Sequence, residues 1–156
     1  MDVQLPSTPP TITVASPDFE EGGVIPERFT CEGLGLSPAI LWAGVPDDAV
    51  SLAVIVSDPD APGGTFLHWL VTELEPRDGS FERGVPPEGA TEWPNSIDEA
   101  RWCPPCPPSG THRYIFSVHA LDSRVVGDTS QQVVDEVIAH TVEWGRITGL
   151  VSSRHG

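Results

Sequence analysis

The sequence predicts a mainly β protein with one amphipathic helix near its C-terminus, and three observations carry that prediction. Proline and glycine number 17 and 15 in 156 residues, a composition that suits short strands joined by turns. The apolar runs are short and bounded by turn residues, and the best of them, "SLAVIVS" at 51–57, is nearly continuous, as in a strand buried on both faces. Helical spacing of apolar residues shows clearly once, late in the chain. A chain of this length is expected to form one domain, residues 1–156, burying about 70% of the surface its unfolded form exposes.

In order along the chain, residues 1–10 are polar and proline-rich and are expected to be a loose arm. "TITVAS" alternates and predicts the first strand. Glu21-Gly22-Gly23 has turn chemistry, and a strand is expected over 39–43, ended by Val45-Pro46. After the strand at 51–57, Asp58 and Ala61 each precede a proline, which pushes both toward extended backbone and makes 58–62 stiff. Gly63-Gly64 supplies a turn and "TFLHWLVTEL" returns as a strand. Simple alternation there puts Phe66, His68, Leu70 and Thr72 on one face, with Leu67, Trp69 and Val71 on the other. Residues 75–110 form a long irregular stretch, expected to be an ordered loop beside a site. "THRYIFSVHAL" is a clear strand with His112, Tyr114, Phe116 and Val118 on one face and Arg113, Ile115, Ser117 and His119 on the other. Asp128-Thr129-Ser130 offers N-caps to a helix whose apolar positions are Val133, Val134, Val137, Ile138, Thr141 and Val142.

Charge narrows the function. The net charge is −15, with 23 acids, eight arginines and no lysine, so nucleic acid and anionic membrane surfaces would be repelled. No apolar run approaches the ~18 residues of a membrane span. The N-terminus has neither a basic start nor an apolar core, so a cytoplasmic location is expected. The dense acidity also suits adaptation to high salt, where ions screen self-repulsion.

Cysteines number three, Cys31, Cys103 and Cys106. An odd count without a secretory signal does not read as a disulfide framework. Cys103-Pro-Pro-Cys106 is a poor redox pair, because polyproline geometry at about 3.1 Å per residue sets the Cα atoms ~9 Å apart and a disulfide needs them within about 7 Å. Pairing of Cys31 with either of the other two stays open.

The chemical candidates are Asp58 and Asp60 at a strand end, His68 on the return strand, and His112 and Tyr114 on a separate strand beside the proline-rich loop. Ionisable groups at strand ends around an ordered loop are where pockets form. His119 and His140 read as hydrogen-bonded core residues. Two aspartates and two histidines admit three chemistries. A divalent metal site is weakly supported, because the spacings match no short ligand signature. Acid–base catalysis by an Asp–His pair, perhaps metal-assisted, would make a small hydrolase, yet neither Ser57 nor Ser109 has the setting of an activated nucleophile. Binding of a small anion or zwitterion is the third, and it requires the two carboxylates to be paired or protonated, since bare ones would repel a phosphate.

"SLAVIVSDPDAPGGTFLHWLV" followed by "CPPCPPSGTHRYIFSVHAL" resembles the phosphatidylethanolamine-binding protein (PEBP) family, above all its short bacterial and archaeal kinase-inhibitor-like branch. The shared pattern is D-P-D-x-P, then H-W, then P-P-x-G-T-H-R-Y, with "FEEGGVIPERFTCEG" and "LSPAILWAGVP" matching upstream and "DEVIAHTVEWGRITG" matching the branch's closing helix more loosely. By that resemblance Asp58, Asp60, Pro62, His68, Pro108, His112 and Tyr114 fall on the family's anion-pocket positions. It implies a PEBP-like fold of antiparallel sheets with few helices and binding of a phosphate-like or phospholipid-headgroup anion in a small pocket, and the reading expected from it is a noncatalytic module with no cofactor, no catalytic residue and no bound metal. The implied partner is a small anionic or zwitterionic ligand, phosphate or phosphoethanolamine-like; family members elsewhere regulate proteins, and a homodimer is common in the bacterial branch. The sequence departs from the family where "NSIDEARWCPPCPP" replaces a glycine-rich stretch, which implies a stiffer and more acidic rim.

Overall fold

The computed structural model describes residues 1–154. Among the described residues, eight strands form two sheets and one α-helix packs on the larger. β1 (Thr13–Ala15), β2 (Ile40–Ala43) and β5 (Gly79–Phe81) form a small sheet ordered β1-β2-β5. β6 (Thr91–Trp93), β4 (Phe66–Leu74), β3 (Ser51–Asp58), β7 (Thr111–Leu121) and β8 (Thr141–Ser152) form a larger one, ordered β6-β4-β3-β7-β8. All these pairings are antiparallel.

The layering follows from which residues are apolar on which face. Val54, Val56, Trp69, Val71, Phe116, Val118 and Ile147 of the large sheet pack against Ile40, Trp42 and Phe81 of the small one. On the opposite face Ala53, Ile55, Leu67, Leu70 and Leu121 pack against Val133, Val134 and Val137 of α1 (Ser130–His140). β3 is central to both layers and buried along its whole length, as its continuous apolar run predicts.

Three expectations need correction. The helix stops at His140, and Thr141 and Val142 begin β8 instead, which pairs with β7 from Thr111↔Ser152 to Leu121↔Thr141. β-branched Thr141, Val142, Ile147, Thr148 and Val151 suit that strand, and no loop separates it from the helix to mark the change. Residues 75–110 are not wholly irregular, because they contribute β5 and β6. Finally, residues 1–10 hold no helix or strand but are tied down: Asp2 exchanges hydrogen bonds with Gln131 of α1, Val3 packs on the helix-side core, and Trp144 Nε1 donates to the Thr8 carbonyl.

A local irregularity sets up the site. Val56 pairs with Trp69 but the next residue, Ser57, pairs with Leu67, so His68 is an extra residue in β4. Such a bulge breaks the two-residue alternation. His68 therefore lies beside Trp69 on the small-sheet face, touching Trp102 and Tyr114, while Leu67 and Leu70 share the helix face. The alternation expected from sequence had His68 with Leu70 and opposite Trp69.

Candidate functional site

One end of the large sheet opens on a cavity of about 410 Å³. Asp58 ends β3, Ala61 and Pro62 come from the following turn, and Phe66 and His68 begin β4. Ile97, Cys103, Pro104, Cys106, Pro107 and Pro108 come from the 94–110 loop, and His112 and Tyr114 open β7. Six of the seven residues singled out from sequence thus line one hollow. Asp60 does not line it.

The polar groups of the floor are held from behind. His112 Nδ1 lies 2.6 Å from Asp58 Oδ2, in a pair that is almost wholly buried. Asp58 Oδ1 accepts the Asp60 backbone N–H at 2.8 Å, the local turn that an Asp-Pro-Asp sequence favours. Burial, with the Asp58 carboxylate second, drives the Tyr114 phenol well above the ordinary range. His68 Nδ1 lies 2.7 Å from the Cys103 carbonyl, and the Cys103 N–H returns to the His68 carbonyl at 3.0 Å. Burial lowers the proton affinity of His68, outweighing the Cys103 carbonyl and Asp58, which act the other way.

Asp60 is taken by a residue that sequence reasoning placed on the far face. The Arg113 backbone N–H and Nε reach Asp60 Oδ2 at 2.9 and 3.0 Å, and its terminal nitrogen reaches Oδ1 at 2.8 Å. This fork pulls the Asp60 carboxyl down to about 2. Both aspartates are therefore paired, the condition under which a phosphate is not repelled. The signal for Arg113 was its position next to His112, two residues from the start of β7, where the backbone can turn to the 58–62 segment.

The loop wall was also partly missed. Phe66, Ile97, Cys103, Pro104 and Pro107 join the cavity, and its proline wall is fixed from two sides. Cys103 is bonded to His68 as above, while Cys31 N–H donates to the Pro105 carbonyl and Cys31 forms a disulfide with Cys106. The expectation that the cysteines form no disulfide framework is corrected to that extent; the 103–106 pair stays unformed and Cys103 is the free thiol. Burial raises the Cys103 thiol, which opposes thiolate chemistry there. Gly35, at φ +72°, lets the Pro104 ring sit where a Cβ would lie 2.8 Å from it.

The structural histidines behave differently. His119 is sealed, with Nε2 2.8 Å from Ser117 Oγ and Nδ1 3.1 Å from Thr141 Oγ1. His140 is hydrogen-bonded to Asp122 but half-exposed at the helix end, so it is not a core residue. Among the described residues no group of three or more His, Cys, Asp or Glu is placed to hold a metal ion, and no helix is long and apolar enough to cross a membrane.

The phosphatidylethanolamine-binding protein family model matches residues 15–152. The chain belongs to that family. Among its relatives, a UPF0098 protein of Methanothermobacter thermautotrophicus is 36% identical over 140 residues, covering 85% of this chain and 93% of that protein. A Mycobacterium tuberculosis relative whose name calls it a lipoprotein is 42% identical over 112 residues, 70% of this chain, and this chain spans only 55% of its length. Of the solved structures, the PEBP homolog CT736 of Chlamydia trachomatis superposes with a TM-score of 0.84 at 32% identity, covering 91% of this chain and 97% of that one. E. coli YbcL, described as a member of the mammalian PEBP family, also gives 0.84, at 27% identity, covering 92% and 99%.

Proposed function

We propose that this PEBP-family chain is a noncatalytic binding module, one domain over residues 1–156, whose cavity takes a small phosphate-like anion or a phospholipid headgroup. The observation that carries this reading is the juxtaposition of His68 and His112 over the paired Asp58, in a 410 Å³ hollow with apolar walls. In it His68, His112 and Tyr114 meet the anion, while Pro62 and Pro108 shape the walls. Asp58 orients His112, and Asp60 holds the turn through Arg113. The test is binding of phosphate and phosphoethanolamine to His112→Asn, whose amide can still donate to Asp58. An affinity loss of about tenfold, the size of one charge-assisted hydrogen bond, with an unchanged melting temperature supports the reading; wild-type affinity in the variant contradicts it.

A second reading is favoured by one observation, the buried Asp58–His112 pair at 2.6 Å, which is the orienting half of an acid–base device. It would make the chain a small hydrolase. The raised Cys103 thiol argues against a nucleophile in the same hollow. Turnover on an ester and phosphoester panel that vanishes in His112→Asn would favour the hydrolase over the binding module.

We propose further that the protein is a cytoplasmic homodimer adapted to high salt. Disulfides persist mainly in oxidising compartments, so the Cys31–Cys106 bridge tests the location directly: three free thiols in protein taken from the native cytoplasm agree with it, and an intact bridge speaks for export. Sedimentation tests the dimer, and a melting temperature that stays flat from low to molar potassium chloride removes the salt adaptation.

A further inference from the structure

The two cavity histidines are each held in one tautomer by the partner behind them. A carbonyl oxygen only accepts, so the 2.7 Å contact with Cys103 requires His68 Nδ1 to donate. A carboxylate likewise accepts, so His112 Nδ1 donates to Asp58. A neutral imidazole has one N–H. With Nδ1 carrying it, Nε2 of each ring presents a lone pair. Neither Nε2 has a hydrogen-bond partner among the described residues, and neither is shut off from solvent; the buried side-chain polar atom without a partner is Trp102 Nε1. Both rings line the cavity.

An oxyanion reaching this floor meets lone pair against lone pair. Each hydrogen bond between Nε2 and an anionic oxygen needs one proton between them. That proton comes either from solution, making an imidazolium, or from the ligand itself, as a P–OH. Other donors are scarce. Pro62, Pro104, Pro107 and Pro108 have no N–H, Arg113 is spent on Asp60, and the Tyr114 hydroxyl is the one O–H among the lining side chains. The groups facing His68 are Asp58 from β3, His112 and Tyr114 from β7, and Cys103 from the loop. Those facing His112 are Asp58, Asp60, Tyr114 and His68. Burial disfavours the imidazolium at His68, so the solution route is the costlier one there.

We propose that the cavity selects oxyanions that carry their own proton at neutral pH, as hydrogen phosphate does, over oxyanions that carry none, and that Nε2 of His68 and of His112 make the selection. This rests on the anion-pocket reading above and narrows it. A phosphodiester headgroup has no P–OH and falls with sulfate.

The experiment measures affinities of the whole chain for inorganic phosphate, sulfate and dimethyl phosphate at about pH 5.5 and about pH 7.5, at matched ionic strength. Sulfate and dimethyl phosphate should lose at least about tenfold on going to the higher pH and take up a proton on binding, whereas phosphate should lose less than about threefold. In ¹⁵N spectra Nε2 should take on imidazolium character with sulfate bound and remain an acceptor with phosphate bound. Parallel pH profiles for all three anions would overturn the selection and leave the anion pocket standing. No binding of any of them at either pH would overturn the pocket as well.

Discussion

β7 carries two histidines, His112 and His119, whose odd separation puts them on opposite faces of the sheet. At the open end, His112 spends one nitrogen on Asp58 and leaves the other to the cavity. In the sealed region, Thr141 Oγ1 donates to the Val137 carbonyl, so it accepts from His119 Nδ1–H, and Nε2 accepts from the Ser117 hydroxyl, whose one hydrogen is shared between it and the Ile55 carbonyl. Both His119 nitrogens are satisfied within the fold, and Trp144 covers the ring. The same side chain on the same strand therefore presents an unpartnered nitrogen to a cavity in one place and is a strut in the other. An unsatisfied, solvent-reachable nitrogen makes the difference, and burial alone does not: both residues are buried.

The largest effect is expected at the open end. The Cys31–Cys106 bridge closes a loop across 75 residues of sequence and anchors the proline wall. Cys31→Ser should cost about 2–5 kcal/mol in denaturant unfolding and weaken phosphate binding, while the His119 side-chain resonances stay where they are. Equal stability of the oxidised and reduced wild type would break this part of the account.

The sealed end should answer to pH. Burial drives His119 down to about 3, against 6.5 for the free side chain. The unfolded chain thus takes up a proton below 6.5 that the folded chain refuses until about 3. The stability tied to His119 is full above pH 6.5 and is lost as pH falls toward 3, at about 1.4 kcal/mol per pH unit. His119→Phe should flatten that slope relative to wild type. Parallel slopes in the two proteins would mean that His119 is not sealed.

The smallest effect belongs to the rim. Arg113→Gln releases the Asp60 carboxylate, which should cost less than about 1 kcal/mol, as exposed ion pairs do. Freed charge beside the cavity should reduce phosphate affinity about two- to threefold, more at low salt than at high. Asp60 would lose its lowered titration, so the stability it supplies above its ordinary 3.8, lost as pH falls to about 2 in the wild type, would disappear from the acid limb. Unchanged affinity at low salt would detach Arg113 from the site.

Much of this contrast was legible in the sequence. β3, β4 and β7 stand out because each pairs a long apolar run with stiff turn residues, and the Asp58, His68 and His112 cluster follows from where those strands end. What was hidden has physical reasons. β8 follows the helix without a turn residue, so the helical spacing of Val137 and Ile138 runs on into Thr141 and Val142. β5 and β6 are three residues each, too short to show a period. The bulge at His68 has no glycine to announce it, and it changes which face the ring joins. The Cys31–Cys106 pairing depends on contacts across 75 positions, and Arg113 turns to Asp60 through its backbone N–H as well as its side chain, which alternation cannot foretell.

The most direct test of the account follows the histidine side chains by NMR while phosphate is added to the intact chain. Saturable shifts of His68 and His112 with a common affinity are expected, and none at His119. Still resonances at His68 and His112, or movement of all the histidines together, would contradict it.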